Sequence, residues 1–508
     1  MSERSWRQRE NFVSKGEPVT LLAHLLAAAA RHPAKIALRC GADAFSYEEF
    51  CIRILTTAAR LRSFGVRSGD RVLICGNNTL AIPVLYFAIH ALEAVAVPLP
   101  PDSPERTLAF LAEDADIRLA VTEKTAAGIH CAVITPLAAT EYSECEEQVT
   151  PAFRPEVVAD LLYTTGTTGR KKGVVLTQSN ILSAARNITE FLGTGPDDIE
   201  VVPLPLSHSF GLGRLRCLAL SGHTLVLEAG VGNGASVVKK ILDVRATGLA
   251  MVPAGFDIMK RITGDSLGSA QGHLRYIEIG SAPMKRETRD WLTNLLPRTR
   301  ICHHYGLTEA SRAAFTEYHA DAHKTGSAGR ATPNVQLMAC DETGRRLPSG
   351  EVGEIVVRGG MVMREYWNQP ELTRETFCTE GMKTGDIGYI DADGYLFLLG
   401  RRGDVINVGG RKVSPDEVET LLCEISGVQD AGCVGVPDEL LGESVKAYLV
   451  ADREIGRAEV TAFLRARLEE FKIPLAIERV AHIPRTHSGK MQRHLLKNGK
   501  ETAWTFKQ

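Results

Sequence analysis

Apolar runs alternate with segments of helical length through the first half of the chain. Arg71–Cys75 reads as a buried strand, Ala81–Glu93 as a helix and Ala94–Leu99 as the next strand. The stretch from Leu80 to Pro101 is the most apolar in the sequence, but His90 and Glu93 interrupt it. It therefore fits a buried helix and strand, not a membrane span, which needs ~18 uncharged apolar residues. Strand–helix–strand alternation implies parallel α/β layers. The same rhythm returns at Ile199–Pro203, Thr224–Leu227, Leu249–Pro253 and Tyr276–Ile279. From about Gly326 the pattern changes to short strands joined by Gly/Asp turns: Val335–Ala339, Gly353–Gly359 and Gly394–Leu398. The last region, Ser414–Gln508, mixes helices and strands, and Pro415-Asp416-Glu417 reads as a helix start.

A chain of 508 residues implies two or more domains with ample core. Hydrophobic content of 44% and charge of 24% are ordinary for a soluble globular protein. A net charge of −2 argues against broad electrostatic capture of nucleic acid. The charged start, Met1–Arg7, leads into no signal-peptide core. Eleven cysteines without CxxC pairs read as reduced thiols in a cytoplasm. No Cys/His cluster has zinc-ligand spacing, and the adjacent His303 and His304 project differently.

One short segment concentrates chemistry: Tyr163-Thr164-Thr165-Gly166-Thr167-Thr168-Gly169-Arg170-Lys171-Lys172-Gly173-Val174. Glycines let backbone N–H groups approach a polyanion, threonine hydroxyls add donors, and Lys172 adds a point charge. The plainer alternative is a surface turn. A Walker A loop is excluded, because GxxxxGK[ST] cannot be aligned on it. Further along come Leu204-Pro205-Leu206-Ser207-His208-Ser209-Phe210-Gly211, Gly280-Ser281-Ala282-Pro283, His304-Tyr305-Gly306-Leu307-Thr308-Glu309, Thr384-Gly385-Asp386, Gly400-Arg401, Gly409-Gly410-Arg411-Lys412 and Pro484-Arg485-Thr486-His487-Ser488-Gly489-Lys490. Each has a plain structural reading: a core histidine, a turn, a strand end with Thr308 capping a following helix, a hairpin, or a solvated lysine.

In this order the motifs resemble the adenylate-forming superfamily of acyl-CoA synthetases, peptide-synthetase adenylation domains and luciferases, over nearly the whole chain from Phe45 to Lys490. Thr165 stands where that family's phosphate loop usually has Ser, and Lys171 where it has Pro. The resemblance implies a large N-terminal portion of two α/β subdomains and a small β-barrel, with a mobile α+β C-terminal domain. The expected divisions are residues 1–400 for ATP and the acyl group, 401–404 as hinge, and 405–508 carrying the adenylation lysine.

It also implies ATP-dependent activation of a carboxylic acid to an acyl-adenylate with release of pyrophosphate, then transfer to a thiol with release of AMP. ATP, Mg²⁺ and the thiol of CoA or phosphopantetheine are the expected co-reactants. Thr164, Thr165, Gly166, Thr167, Thr168, Gly169 and Lys172 would serve the β- and γ-phosphates. Gly280, Ser281 and Ala282 would lie on the adenine side, Tyr305 would stack on adenine, and His304 and Gly306 would join them in binding ATP. Thr308 would reach the α-phosphate, and Glu309 would ligate Mg²⁺. Asp386 and Arg401 would hold the ribose. Lys490 would bridge carboxylate and α-phosphate as charge accumulates. His208, Phe210, Gly211 and Arg214 would line the acyl pocket, with His208 orienting the carboxylate. Gly409, Gly410, Arg411 and Lys412 would form the thioester loop. Gly403 stands at the hinge, where Asp or Lys is usual.

Ser207–Leu212 contains no acid to pair with an α-amine, and Asp257 is the nearest later candidate. A simple or hydroxylated acyl acid is therefore favoured over an amino acid. Gly211–Arg216 is expected to open a pocket-lining helix. Arg214 and Arg216, two apart, cannot share a face of it. Arg214 would suit a second carboxylate or a hydroxylated short acid; the alternative places both arginines on solvated or ion-paired faces. The absence of an evident insertion between Asp386 and Lys490 favours CoA, or an acyl or peptidyl carrier protein, over adenylate release. A stand-alone carrier-protein ligase, a luciferase-type oxygenase and a non-catalytic nucleotide-binding homologue remain as alternatives. No nucleic-acid partner and no integral membrane segment are expected.

Overall fold

The computed structural model describes residues 19–124, 131–140, 149–165, 171–228, 230, 232–485 and 491–497. The chain divides into two compact units. The first holds residues up to 325 with 329–336 and 357–377, and the second holds 326–328, 337–356 and those from 378 onward. This division differs from a split at 401–404. The antiparallel pair Gly381–Ile390 and Tyr395–Arg401 packs within the second unit, against the helix Pro415–Leu422.

In the first unit, one sheet runs in spatial order Glu365–Tyr366, Lys171–Thr177, Val158–Thr165, Val95–Leu99, Arg71–Cys75, Ile117–Thr122 and Ala132–Ile134. Its last five strands are parallel, and Val158–Thr165 turns back antiparallel onto Lys171–Thr177. Val95–Leu99 is buried throughout, and the helix Ala81–Ala91 is buried at every residue after its first. A helix enclosed on all sides is apolar all round, which explains the Leu80–Pro101 run. Its polar interruptions are partnered. His90 Nε2 lies 3.1 Å from Asp160 Oδ1, and Glu93 pairs with Arg154. The helix Tyr47–Ser63 starts at a capping box in which Ser46 and Glu49 satisfy each other's backbone N–H groups.

A second sheet runs through Asp43–Ser46, Ile36–Cys40, Thr224–Leu227, Ile199–Val202 (β1), Gly248–Met251, Tyr276–Ile279 (β2), Arg300–Tyr305 (β3), Ala314–Glu317 (β4) and Gly329–Ala331. From Ile36–Cys40 to β3 the strands are parallel; β4 returns antiparallel to β3. Apolar residues of β1, β2 and the neighbouring helices, among them Val201, Ile277, Phe256 and Met259, form a core on this sheet. Helix α1 (Ser209–Ser221) follows β1. It starts two residues before the expected Gly211, with His208 at the N-cap, and stops at Gly222, whose φ of 74° suits a glycine C-cap.

The second unit also contains a five-stranded sheet. Ile406–Val408 and Arg411–Val413 form a hairpin beside the long antiparallel pair Val428–Asp438 and Gly442–Ala451, with Ala476–Arg479 at the edge. Helices Pro415–Leu422 and Arg457–Arg465 bury Val418, Leu422, Val460 and Leu464 against it. Pro415 sits at the first helical position after the N-cap Ser414, as its fixed φ and missing N–H favour. No helix among the described residues is long and apolar enough to cross a membrane.

Candidate active site

The Thr/Gly-rich segment is the connection of an antiparallel pair. Thr164 faces Lys172 in register, and Thr165 faces Lys171. Gly166, Thr167, Thr168 and Gly169 lie outside the described residues, as does the side chain of Thr165. Desolvation lowers the pKa of Lys171. The Lys172 ammonium lies 5.3 Å from the centroid of the Tyr366 ring. That tyrosine donates its hydroxyl to Glu309 Oε1 at 2.7 Å. Lys172 and Glu309, far apart in sequence, thus meet through one aromatic ring that the motifs did not indicate.

Tyr305 ends β3, and Gly306–Glu309 form a turn. The alternative of a helix capped by Thr308 is not what forms. Ala310 instead bridges Val362, and the Met363 N–H donates to the Glu309 carbonyl at 2.8 Å, so Thr308 caps nothing and Glu309 is fixed by backbone as well as side chain. Gly306 is required here, since a Cβ would meet the Arg312 backbone nitrogen at 2.5 Å. Tyr305, Thr308 and Glu309 are half-buried.

Beside this turn, β2 ends at Gly280-Ser281-Ala282. Ser281 adopts a φ of 76°, uncommon for a residue with a side chain. A Cβ on Gly280 would lie 2.0 Å from the His304 ring, so that glycine admits the histidine. The two adjacent histidines diverge as expected. His303 meets the Ala282 carbonyl at 3.0 Å and the Tyr318 hydroxyl at 2.7 Å, and burial pushes its pKa down to about 4. His304 Nδ1 lies 2.9 Å from Glu278 Oε1, and its ring meets Phe210 edge-on at 4.7 Å.

His208 is exposed at the N-terminus of α1, whereas Phe210, Gly211 and Arg214 are buried. Gly211 packs on the Pro205 carbonyl, where a Cβ would approach to 2.4 Å. Arg214 is 0% exposed. It grips Glu200 with two bonds of 2.6 Å and reaches Glu278 at 3.1 Å. Burial alone would raise both carboxyls. Arg214 beside Glu200, and Arg312 with Arg214 beside Glu278, outweigh it and hold both below the ordinary carboxylate range. Tyr276 adds a hydroxyl 3.1 Å from Glu200. The ion-paired alternative therefore describes Arg214, and a free basic group aimed at a substrate carboxylate does not. Arg216 is likewise internal, bonded to Asp160 and to the Tyr86 hydroxyl. Asp257 lies inside the helix Pro253–Thr263, paired with Lys285 at 3.1 Å and Thr288 at 2.5 Å.

In the second unit, Asp386 and Arg401 are direct cross-strand partners, with Arg401 Nε 3.0 Å from Asp386 Oδ1. Arg401 also donates to the Thr384 carbonyl at 2.8 Å, and Thr384 in turn donates to Ile355. Asp386 is nearly buried, which leaves its carboxylate oriented by the arginine. Gly409 and Gly410 have φ of 58° and 84° and form the two-residue turn of the Ile406–Val413 hairpin. Positive φ at both positions is what such a turn demands. Arg411 and Lys412 are exposed, and the Arg411 guanidinium lies 4.0 Å from the Phe471 ring centroid. Gly403 follows Arg401 in a turn closed by the Asp404 and Val405 N–H groups on the Arg401 carbonyl. Lys490 lies outside the described residues, in the connection between Arg485 and Met491, which form a β-bridge.

Among the described residues no group of three or more His, Cys, Asp and Glu side chains could hold a metal ion. A single carboxylate such as Glu309 nevertheless fits Mg²⁺, which is commonly held by one or two carboxylates with substrate phosphates and water.

The AMP-binding enzyme family model matches residues 25–367, and the AMP-binding enzyme C-terminal domain model matches residues 417–490. A feruloyl-CoA synthase from Amycolatopsis sp is 33% identical over 475 residues, which cover 90% of this chain and 94% of the relative. A 2-succinylbenzoate–CoA ligase from Bacillus licheniformis is 31% identical over 447 residues, covering 87% and 92%. Among solved structures, ATP-bound MatB from Rhodopseudomonas palustris matches with a TM-score of 0.86 at 29% identity, covering 96% of this chain and 100% of that one. The o-succinylbenzoate CoA synthetase MenE from Bacillus subtilis, in complex with the acyl-adenylate OSB-AMP, matches with a TM-score of 0.85 at 28% identity, covering 93% and 97%.

Proposed function

Because the chain belongs to the AMP-binding enzyme family, we propose that the residues described above divide the work of an AMP-forming acid–thiol ligase. The reaction is ATP-dependent activation of a carboxylic acid. A carboxylate oxygen attacks the α-phosphorus, the bond to the bridging oxygen breaks, and pyrophosphate leaves. The thiol of CoA then attacks the acyl carbon and AMP departs.

The first step joins two anions, so the protein must supply positive charge and hold the reactants in line. Lys172 and the Thr164–Gly169 connection serve the β- and γ-phosphates. Tyr305 offers a flat ring to adenine beside Gly280–Ala282, and Thr308 offers a hydroxyl to the α-phosphate. Glu309 is the carboxylate for Mg²⁺, which when bound neutralises phosphate charge. Asp386, oriented by Arg401, accepts from the ribose hydroxyls. Lys490 bridges the attacking carboxylate and the α-phosphate, and His208 orients that carboxylate at the mouth of the acyl pocket. Residues 1–400 carry the ATP and acyl groups in this reading. Residues 401–404, with Gly403, permit rotation of 405–508, and Gly409–Lys412 attend the thioester step.

The observation that best supports the reading is the convergence of Lys172 and Glu309 on Tyr366. It gathers a phosphate-directed cation and a magnesium-directed carboxylate at one place. The substrate is an acid without an α-amine, since α1 presents no carboxylate near His208 and Asp257 is engaged by Lys285 and Thr288. Pyrophosphate release over a panel of aromatic, short aliphatic, hydroxylated and amino acids, with and without CoA, tests this. Turnover confined to amino acids would refute the assignment.

A further inference from the structure

Arg312 stands three residues beyond Glu309 in an otherwise small and apolar run, Ala310-Ser311-Arg312-Ala313-Ala314. It is 2% exposed and has a φ of 50°, a left-handed backbone that a residue with a long side chain rarely adopts. A buried charge on an unfavourable backbone persists only where its surroundings over-determine it. Here they do. Nε donates to Glu278 Oε1 at 3.0 Å; Nη1 donates to the Ser209 carbonyl and to Ser311 Oγ, each at 3.1 Å; Nη2 donates to the Phe210 carbonyl at 2.9 Å. The guanidinium also lies 5.0 Å from the Phe210 ring centroid. Those two carbonyls belong to the first turn of α1, the turn that His208 precedes. Glu278 lies on β2, two residues before Gly280, and the same carboxylate oxygen faces His304 on β3.

The guanidinium can lie against the helix only because α1 has glycine at 213. A Cβ there would meet Arg312 Nη1 at 2.4 Å. The arginine and the glycine form one device, joining a helix start to two strand ends.

We propose that Arg312 is a positioning residue for the acid. It ties the first turn of α1, with His208 and Phe210, to the β2 and β3 ends that carry the adenine-side loop and the Tyr305–Glu309 turn. The proposal rests on the assignment of residues 208–211 to the acyl pocket made above. The ATP side does not depend on the guanidinium. β2 and β3 are held by their own ladder, and Gly306 rests on the Arg312 backbone, which side-chain substitution keeps. Loss of the clamp should therefore move acid parameters and spare ATP parameters.

Two substitutions test this in the full-length enzyme. Gly213→Ala removes no charge and places a methyl group where the guanidinium now lies. The flexible end of Arg312 must shift, while alanine favours the helix itself. Arg312→Lys keeps a charge near Glu278 but cannot reach both carbonyls in a fork. Each variant should melt cooperatively. In pyrophosphate exchange each should lose about tenfold to a hundredfold in kcat/KM for the acid, the scale of an ångström-sized misplacement of a reactant. The KM for ATP should stay within twofold. A merely structural arginine predicts a lower melting midpoint with both KM values unchanged below it. Acid parameters within twofold of the parent in folded Gly213→Ala would overturn the proposal, whether or not Arg312→Lys folds. Absence of exchange in the parent with every acid tested would instead overturn the adenylation reading, and this proposal with it.

Discussion

Replacing Arg214 with methionine isolates the energetics of the charge network under α1. Methionine approximates the length of the side chain and leaves the guanidinium's partners behind. Glu200 then loses both 2.6 Å bonds and, among the described residues, keeps the Tyr276 hydroxyl at 3.1 Å and His223 Nε2 at 3.4 Å. In the parent, burial outweighs the neighbouring Glu200 carboxylate and holds the His223 imidazole below its ordinary pKa. Glu278 loses a 3.1 Å partner but keeps Arg312 at 3.0 Å. Breaking a buried pair from one side costs about 3–5 kcal/mol, and the surviving tyrosine argues for the lower half of that range. In the parent the Glu200 pKa is depressed, so its stabilisation is present above the unfolded carboxyl pKa and fades as pH falls through that range. In the variant the orphaned carboxyl is expected to titrate above its unfolded value, so stability drops as pH rises through the new value. The gap between parent and variant should therefore be wider at pH 8 than at pH 5. Urea unfolding at both pH values measures it, and adding Glu200→Gln should recover most of the loss. A loss below about 1 kcal/mol at neutral pH would refute the network argument. A changed acid profile at unchanged stability would place Arg214 against the substrate.

Lys490→Ala should abolish acyl-adenylate formation yet largely spare thioester formation from supplied acyl-AMP; equal loss in both half-reactions would remove the lysine from the adenylation step. Asp386→Ala should raise the KM for ATP roughly tenfold to a hundredfold, because one charged hydrogen-bonding partner is worth about 1.5–3 kcal/mol. Steady-state kinetics with varied ATP would count against the ribose role if that KM did not move. Gly403→Pro should slow CoA transfer and leave pyrophosphate exchange nearly intact, since proline fixes φ at the proposed pivot. Single-turnover assays of the two steps decide it, and two unaffected steps would place the pivot elsewhere.

The parallel strands of the first unit were legible because strands buried on both faces read as near-continuous apolar runs. Arg71–Cys75, Thr224–Leu227 and Tyr276–Ile279 have the bounds that the pattern implied. The start of α1 was less legible. Ser209-Phe210-Gly211-Leu212-Gly213 carries two glycines, so local propensity argues against a helix that burial and the Arg312 clamp impose. The alternative of a helix after Thr308 fails for a tertiary reason: pairing of Ala310 with Val362 takes the backbone elsewhere. Motifs located Lys172 and Glu309 but could not reveal their link, because Tyr366 lies 57 residues from Glu309 in an undistinguished segment. Arg312 did leave a trace, a lone charge among small apolar residues, and its meaning depended on carbonyls about a hundred residues earlier. Asp386 and Arg401 belong to separate motifs in the sequence; their direct pairing follows from hairpin register, which no motif encodes.

In the proposed reaction a carboxylate oxygen attacks the α-phosphorus of ATP. An acid that supports pyrophosphate release, labelled with heavy oxygen in its carboxylate, tests this most directly. After one turnover in the presence of CoA, mass spectrometry of the nucleotide should find one labelled oxygen in AMP and none in pyrophosphate. Label in inorganic phosphate, with ADP in place of AMP, would contradict the account, because it would mean attack at the γ-phosphorus and an acyl-phosphate route.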